Sequence, residues 1–380
     1  MSGPVVTEMV RWVVVAVVAG HGVVHLLGAA KGLGWAAVPQ LTEPIGAWAG
    51  GAWLVAALLV LTSAALLAVG TTTWWWLVVL VAAVLSQVLV VTSWSDARYG
   101  TIANVLMLLV AGYGFASVGP TSFDARWDRQ VSEATAEVEA SPSVLTEADL
   151  APLPAPLAAY VRRSGAVGEP RVTSLSATFH GRIRSGPGEA WMSFTGKQVN
   201  TFGSRPQRAF LMHATRSGLP VTVLHQYVGT TATMEVTLAS VVPMVDAAGP
   251  TMDRGETVTV FNDLVVLAPG AIADAAVTWT PVDEHHVRGE LTNGAHTVSA
   301  VLTFDDDHDL VDFVSDDRSR ASADGRSFVQ QEWSTPLSAH RDQDGRRVVS
   351  AGQGMWSAPE PEGRFSYLDL YLDDIEYNAP

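Results

Sequence analysis

The sequence has 380 residues and a formal net charge of −15, and it contains no cysteine. The absence of cysteine excludes disulfides, thiolate metal sites and a cysteine nucleophile. So acidic a chain repels phosphate backbones, and nucleic acid is therefore not an expected partner.

The first 119 residues differ from the rest in composition. They carry three acids and three bases, namely Glu8, Arg11, Lys31, Glu43, Asp96 and Arg98. The whole net charge therefore falls on the remainder of the chain. This division predicts a transmembrane domain at residues 1–119, a linker at 120–156 and a soluble β-rich domain at 157–380.

Four apolar runs in the first part are long enough to cross about 30 Å of hydrocarbon, which takes roughly 20 residues each. They are approximately Met9–Ala30, Ile45–Val69, Trp74–Trp94 and Thr101–Val118. These runs predict an α-helical bundle of four transmembrane helices. We therefore expect a multi-pass protein of the cell membrane, with the lipid bilayer as its first partner.

Polar residues inside the apolar runs are candidate functional residues, because burying them in lipid is costly. His21 and His25 are four residues apart and so share one face of a helix. The favoured interpretation is hydrogen bonding to groups on other helices, such as Gln87 or Asn104, or proton handling. A metal ion bridging the two histidines is the alternative.

The connection between the third and fourth runs carries Asp96 and Arg98. The two side chains could pair at the membrane interface, but we expect Asp96 to cap the fourth helix. Together with His21, His25 and Asn104, they form the expected polar site of the membrane part.

The soluble domain is expected outside the cytoplasm. An even number of spans puts both chain ends on one side, and Lys31 and Arg98 lie in short connections on the other side, where the positive-inside rule applies best. A bare count leans the other way, since Arg11, Arg126 and Arg129 share the domain's side. Large domains, however, translocate largely regardless of their charge.

The soluble part begins with a short helix expected around Leu157–Arg163. From Pro170 onward, apolar and polar residues alternate, most clearly in residues 298–304, and this period of two predicts strands. The pair Asn293-Gly294 is a strong signal for a hairpin turn. We expect nine to eleven antiparallel strands.

One segment, Gly255–Gly270, interrupts the strands. Val258, Phe261 and Leu264 have helical spacing there, so a helix is predicted. The sum is an α+β domain in which one or two helices cover a curved antiparallel meander, or half-barrel. Half-barrels often hold an apolar ligand between sheet and helix.

Acidic side chains around this helix are the candidate chemical groups. Glu256, Asp263 and Asp317 are candidates for acid–base catalysis. Arg318 could pair with a carboxylate and clamp the helix to the sheet. Three tryptophans supply aromatic mass for a pocket or a core. The expected ligand-binding residues are Asn262, Asp263, Trp279, Arg318, Trp333 and Trp356.

Two further motifs look like metal sites and are interpreted otherwise. The run Asp305–Asp309 resembles the start of a calcium loop, but Leu310 stands where the loop needs glycine, so we expect a solvated hairpin turn. His285 and His286 are adjacent, which points their side chains to opposite faces of a strand, and a surface loop is expected. No metal and no cofactor is predicted.

The motifs of the soluble part resemble a bacterial family known only as a domain of unknown function. They are the segments at residues 255–263, 268–270, 313–318, 333–336 and 375–378. The segments at residues 21–28 and 94–101 resemble a membrane module found on some members. The resemblance spans most of the chain but brings no established activity. Where other members tend to have Met-Cys, this chain has Leu264-Val265, which argues against a thiol role.

The leading hypothesis is therefore a membrane-anchored module that binds a lipid or another apolar ligand next to the bilayer. By fold analogy only, the soluble part is similar to lipoprotein carriers. The first alternative is a membrane-bound enzyme that uses Glu256, Asp263 and Asp317. The second is a scaffold for a protein partner, whose identity the sequence does not indicate.

Overall fold

The computed structural model describes residues 3–70, 72–138, 143–322 and 325–378, with side chains from residue 8 onward. The chain divides into two compact units. The first contains residues 1–126, and the second begins at Trp127 and contains the large sheet.

The first unit consists of helices. They are α1 (Gly3–Gly32), α2 (Ala47–Val69), α3 (Trp75–Thr92), the short α4 (Trp94–Ala97) and α5 (Gly100–Val118). Four of the helices in the described chain are long and apolar enough to cross a membrane, which confirms the predicted number. Small residues allow close packing: a Cβ atom on Gly32 would lie 2.5 Å from the Cα of Gly50.

The prediction for Asp96 is wrong. Its carboxylate accepts hydrogen bonds from the Thr42 backbone and hydroxyl and from the Glu43 backbone N–H, at 2.5–2.9 Å. The residue before α5 is Tyr99, which makes no side-chain cap. Arg98 lies over the Tyr99 ring instead of pairing with Asp96. Asp96 thus links the α3–α5 connection to the α1–α2 connection, because the α1–α2 connection supplies three hydrogen-bond donors to its carboxylate.

The second unit starts with helical segments that cover the sheet. They are α6 (Phe123–Ala136), a 3-10 turn at Glu147–Leu150 and α7 (Ala155–Arg163). On α6, Trp127 and Gln130 donate hydrogen bonds to the Ala209 and Arg208 carbonyls. Part of the segment 120–156 is therefore packed against the sheet. The helix expected around Leu157–Arg163 is α7.

Sixteen strands follow in the described residues. They are β1 (Ser174–Ile183), β2 (Met192–Thr201), β3 (Gln207–Arg216), β4 (Leu219–Val228), β5 (Thr231–Leu238), β6 (Val242–Ala248), β7 (Val277–Pro281), β8 (His286–Asn293), β9 (His296–Phe304), β10 (Leu310–Ser315), β11 (Ser319–Ala321), β12 (Phe328–Gln330), β13 (Glu332–Ser334), β14 (Leu337–Gln343), β15 (Arg346–Ser357) and β16 (Arg364–Tyr377). The expected nine to eleven strands is too low. Three of the additional strands, β11, β12 and β13, have three residues each and are too short to show alternation.

Fourteen of these strands form one antiparallel sheet. Its order is β6-β5-β4-β3-β2-β1-β16-β15-β13-β10-β9-β8-β7, with β14 pairing to β15. The first and last strands, β1 and β16, are therefore neighbours in the middle. The predicted hairpin lies between β8 and β9, but its two turn residues are Gly294 and Ala295, because Asn293 pairs with His296 as the last residue of β8; Gly294 has a positive φ of 58°.

Helix α8 (Pro250–Leu267) crosses the concave side of the sheet. It is the helix that the spacing of apolar residues in Gly255–Gly270 predicts. It contacts both halves of the sheet. Asp253 accepts a hydrogen bond from Ala232 on β5, and Phe261 meets Phe313 on β10 with ring centroids 5.4 Å apart. Because strands this far apart in the sheet order touch one helix, the sheet curves around α8.

The turn at Asp305–Asp309 is only partly as expected. Asp305 accepts hydrogen bonds from the backbone of Asp307 and Asp309, as in a tight turn. Asp309, however, is buried and receives a two-pronged hydrogen bond from Arg347 on β15. The expectation of a solvated turn fails at this residue because a long-range arginine neutralises it.

Candidate functional site

Helix α8 carries two acidic residues, Glu256 and Asp263, into the space beneath the sheet. Almost no part of either residue is exposed, at 1% and 7%. Three basic or titratable side chains surround them. They are Arg208 on β3, His225 on β4 and Arg318, which immediately precedes β11. We call these five side chains the buried charge cluster.

Asp263 receives three hydrogen bonds on one carboxylate oxygen. Arg208 Nε donates to Oδ2 at 2.8 Å, Gln198 Nε2 at 2.7 Å and Asn200 Nδ2 at 3.0 Å. Gln198 and Asn200 are two residues apart on β2 and therefore point to the same face of the sheet. The carboxylate is thus fixed to two adjacent strands.

Glu256 lies between three positively charged or titratable partners. Arg318 Nη2 is 3.2 Å from Oε1, His225 Nε2 is 3.1 Å from Oε2, and Arg208 Nη1 is 3.6 Å from Oε2. Thr259 also donates to Oε1 at 3.0 Å. Burial raises the pKa of the Glu256 carboxyl, but His225, Arg318 and Arg208 outweigh it and hold this pKa well below its usual range.

Charge, more than directional bonding, holds the centre of this cluster. Within the described chain, Arg208 Nη1, His225 Nε2 and Glu256 Oε2 are buried atoms that make no hydrogen bond of good geometry. Arg208 Nη1 and His225 Nε2 nevertheless each lie within ion-pair distance of Glu256 Oε2. Removal of any one charge would leave the others uncompensated in a poorly solvated place.

Arg318 also contacts two of the three candidate tryptophans. Its guanidinium carbon lies 4.3 Å from the Trp333 ring centroid and 5.8 Å from that of Trp356. Both tryptophans are buried, at 3% and 6% exposure. Trp279 packs elsewhere, against Phe261 of α8 with centroids 5.8 Å apart.

The other two candidates occupy separate contacts. Asp317 accepts a 2.5 Å hydrogen bond from Arg254 and a 2.7 Å bond from the Ser299 backbone. Asn262 donates to the Thr335 hydroxyl at 2.7 Å. The structure therefore brings Glu256 and Asp263 into one cluster, and it places Asp317 in an ion pair of its own.

This arrangement favours holding α8 over acid–base chemistry. A catalytic acid or base must reach a reacting group in a pocket. Here Glu256 and Asp263 are neutralised by arginines under closed packing. Every charged contact of the cluster joins α8 to a strand or a strand end, so its evident action is to fix the helix to the sheet.

One groove in the described chain lies away from the cluster. It has a volume of about 840 Å³ and is open to solvent, and Thr135, Glu169, Arg346 and Tyr377 are among the residues that line it. None of the candidate carboxylates or tryptophans is part of this lining. The groove therefore offers no entrance to the interface between α8 and the sheet.

The first unit has a polar cluster of its own. His21 Nε2 lies 3.0 Å from both Ser86 Oγ and Asn104 Oδ1, and His25 Nε2 lies 2.8 Å from Ser86 Oγ. Asn104 Nδ2 donates to Gln87 Oε1 at 2.9 Å. We call the side chains linked in this way, which end at Thr101, the membrane histidine network.

Both histidine rings face the inside of the bundle, at 8% and 1% exposure. Ser86 and Asn104, on α3 and α5, supply the polar partners. In the described chain no group of three or more His, Asp or Glu side chains is arranged to hold a metal ion. The metal interpretation of His21 and His25 therefore lacks a third protein ligand of that kind.

The sequence interpretation missed four members of these sites in the sheet: Gln198, Asn200, Arg208 and His225. A signal was present. His225 lies in a largely apolar strand segment, Val221–Val228, and Arg208 precedes the apolar run 209–212. Polar residues at such positions need buried partners, but their partners on α8 depend on the register of distant strands.

The fold and the two clusters define a class of protein in which a group of apolar helices precedes an α+β domain built on a curved antiparallel sheet. Residues 143–370 match the family of unknown function DUF6544, which is more than half of the chain, so the protein belongs to that family. The resemblance noted in the sequence is confirmed. No curated protein matches the chain.

Several solved structures are distantly similar. An outer membrane lipoprotein-sorting protein domain from Vibrio parahaemolyticus is 10% identical with a TM-score of 0.32, covering 54% of this chain and 85% of its own. A DUF1329 family protein from Desulfovibrio piger is 16% identical with a TM-score of 0.33, covering 59% and 92%. A LolA superfamily protein from Nitrosomonas europaea is 12% identical with a TM-score of 0.30, covering 58% and 93%. At these TM-scores the likenesses carry no inference about this chain.

Proposed function

We propose that this protein is a multi-pass membrane protein whose β domain binds a lipid or another apolar molecule between the sheet and α8. The observation that carries the proposal is that α8 occupies the concave side of the sheet as a separate element. On the sheet, Leu302, Phe304 and Phe313 belong to the apolar core that also contains Phe261 of α8, and this apolar lining is 0–2% exposed. If α8 moves, this lining becomes an apolar surface for a ligand.

Binding requires α8 to move, because the interface is closed. The helix begins after Gly249, which has a φ of 98°, and it ends at Ala268-Pro269-Gly270. Glycine and proline at the two ends are suited to a hinge. The buried charge cluster acts as a latch, since Asp263 and Glu256 hold α8 to β2, β3 and β4 until a ligand replaces the apolar contacts.

A cross-link across the interface tests this proposal. The chain contains no cysteine, so the variant Asn262→Cys/Thr335→Cys has one pair, placed where the native side chains touch. We expect the oxidised variant, purified in full length in detergent, to retain less lipid in native mass spectrometry than the reduced one. The reason is that a locked α8 closes the site.

The matched control is Thr292→Cys/Thr297→Cys, which links two exposed side chains already 2.9 Å apart on β8 and β9. Its oxidation should leave the lipid signal unchanged, and the membrane helices are the same in both variants. Equal lipid in the oxidised and reduced forms of the Asn262/Thr335 pair would overturn the proposal. A co-purifying protein in place of lipid would favour the scaffold hypothesis.

We also place the β domain outside the cytoplasm. The support is the position of Lys31 and Arg98 in short connections on the opposite side of four spans.

Single cysteines test this placement with a membrane-impermeant maleimide on intact bacterial spheroplasts. Asp306→Cys, at a side chain 98% exposed on the β domain, should be labelled without lysis. Tyr99→Cys, at a residue 72% exposed in the α4–α5 connection, should be labelled only after lysis. The reverse pattern would place the domain in the cytoplasm.

A further inference from the structure

We propose that the membrane histidine network is a site for one proton, and that proton binding sets the direction of a hydrogen-bonded chain from His25 to Thr101. This adds a proton-handling activity to the helical unit and does not depend on the β domain's ligand. The observed contacts need one hydrogen atom more than the neutral side chains supply.

The contacts of His25 show which of its two ring nitrogens carries a hydrogen. Its Nδ1 lies 3.1 Å from the backbone carbonyl oxygen of His21, which can only accept, so Nδ1 carries a hydrogen. In a neutral His25 ring the other nitrogen, Nε2, then has only a lone pair. Its contact with Ser86 Oγ at 2.8 Å therefore uses the hydroxyl hydrogen of Ser86.

The contacts of Asn104 need the same hydroxyl hydrogen of Ser86. Its Nδ2 donates to Gln87 Oε1, so its Oδ1 faces Ser86 Oγ at 2.7 Å and His21 Nε2 at 3.0 Å. Oδ1 only accepts, and the contact with Ser86 again needs the hydroxyl hydrogen. Ser86 has one such hydrogen and cannot serve His25 and Asn104 together.

One additional proton resolves the conflict. With a proton on Nε2, His25 donates to Ser86 Oγ, and the Ser86 hydroxyl is free to donate to Asn104 Oδ1. His21 Nε2–H donates to the same oxygen. This hydrogen is shared with Ser86 Oγ, which also lies 3.0 Å from His21 Nε2, and each of the other contacts then has one donor and one acceptor. The described orientation of the Asn104 amide is thus that of a singly protonated pair.

The unprotonated pair needs the opposite orientation. The Asn104 amide must turn so that Nδ2 donates toward Ser86 and His21, and its oxygen then faces Gln87. The Gln87 amide must turn as well, which reverses its 3.2 Å contact with the Thr101 hydroxyl. Heavy atoms keep their places, because amide O and N are nearly equal in size. Proton binding and amide orientation are therefore coupled.

Among the described side chains around the network, no fixed charge replaces this proton. The charged groups at the same end of the bundle bind connection atoms: Lys31 donates to the Leu41 and Glu43 carbonyls, and Asp96 accepts from Thr42 and Glu43. On α2, the side chain that faces the rings is the apolar Trp53, whose ring centroid lies 5.0 Å from that of His25.

The path for a proton from the end of the helical bundle to the network is short. Asn104 is four residues from the start of α5 at Gly100, which is about 6 Å along the helix at 1.5 Å per residue. The network is therefore closest to the end of the bundle that carries the α4–α5 connection, and a proton would exchange there.

Nuclear magnetic resonance of the full chain in lipid vesicles tests the proposal. Histidine and the side-chain amides are labelled with ¹⁵N, and His21→Gln and His25→Gln assign the two rings among the ten histidines. We expect one proton to add to the pair as the pH falls, and the Asn104 and Gln87 amide signals to shift with the same midpoint.

Two variants separate coupling from simple packing. Asn104→Leu removes the shared acceptor, so the Gln87 signal should no longer follow the imidazole signals. Thr101→Ser keeps the terminal hydroxyl and should preserve the joint shift. Wild-type rings that stay neutral between about pH 5 and 8, or amide signals that do not move with them, would overturn the proposal even if a variant failed to fold.

Discussion

Replacing Arg208 with methionine is expected to lower the free energy of unfolding of the β domain by about 3–5 kcal/mol. The side chain is 8% exposed and lies against both Asp263 and Glu256. Methionine fills much of the same space but leaves two buried carboxylates without one of their cations. Urea unfolding of the full chain in detergent, followed by tryptophan fluorescence, measures the loss.

A double-mutant cycle distinguishes lost charge from lost packing. Asp263→Leu alone should also be strongly destabilising, whereas Arg208→Met/Asp263→Leu should be less so than the sum of the two by about 1–3 kcal/mol. Strict additivity would show that the pair is not coupled. The control is Arg205→Met, which breaks the exposed pair with Glu137 and should cost about 1 kcal/mol or less.

Replacing Glu256 with glutamine should have a comparable effect at neutral pH, because it leaves Arg318, Arg208 and His225 facing a neutral amide. The expected loss is about 3–5 kcal/mol. The same variant should also change how stability depends on pH. Glu362→Gln, at an exposed pair with Arg320, is the matched control and should leave the unfolding midpoint near that of the wild type.

The direction of the pH effect follows from the lowered pKa of Glu256 in the folded state. The carboxylate stabilises the fold fully above its unfolded pKa of about 4.3, and this contribution is lost as the pH falls through the folded value. Below about pH 4.3 the wild type should lose stability with pH more steeply than Glu256→Gln, by up to about 1.4 kcal/mol per pH unit. Asp309 and Asp369, whose pKa values are also lowered, keep some slope in the variant. Equal slopes would contradict the prediction.

Local patterns predicted the elements that depend on nearby residues. Four long apolar runs are sufficient to identify the four long helices of the first unit, and helical spacing in Gly255–Gly270 identifies α8. The hairpin turn that begins at Gly294 follows from the ability of glycine to adopt a positive φ. In each case the physical cause lies within a few residues of chain, so one sequence contains it.

Long-range partners were not predictable in the same way. Asp96 was assigned to the helix beside it, yet it binds Thr42 and Glu43. Asp309 was assigned to a solvated turn, yet Arg347 binds it from a distant strand. Such pairs depend on strand register and on the approach of separate elements. The sequence shows that a charge exists, and only the fold shows which charge neutralises it.

The position of β16 has a consequence for biosynthesis. This strand, Arg364–Tyr377, is made after all other strands of the domain, yet it lies between β1 and β15 in the middle of the sheet. Until the ribosome has released it, the nascent domain consists of two half-sheets, and each has one additional open edge, at β1 or at β15, that is prone to wrong pairing. Folding of the domain therefore waits for its last segment, and a chain shortened before residue 364 would expose both edges to proteases and chaperones.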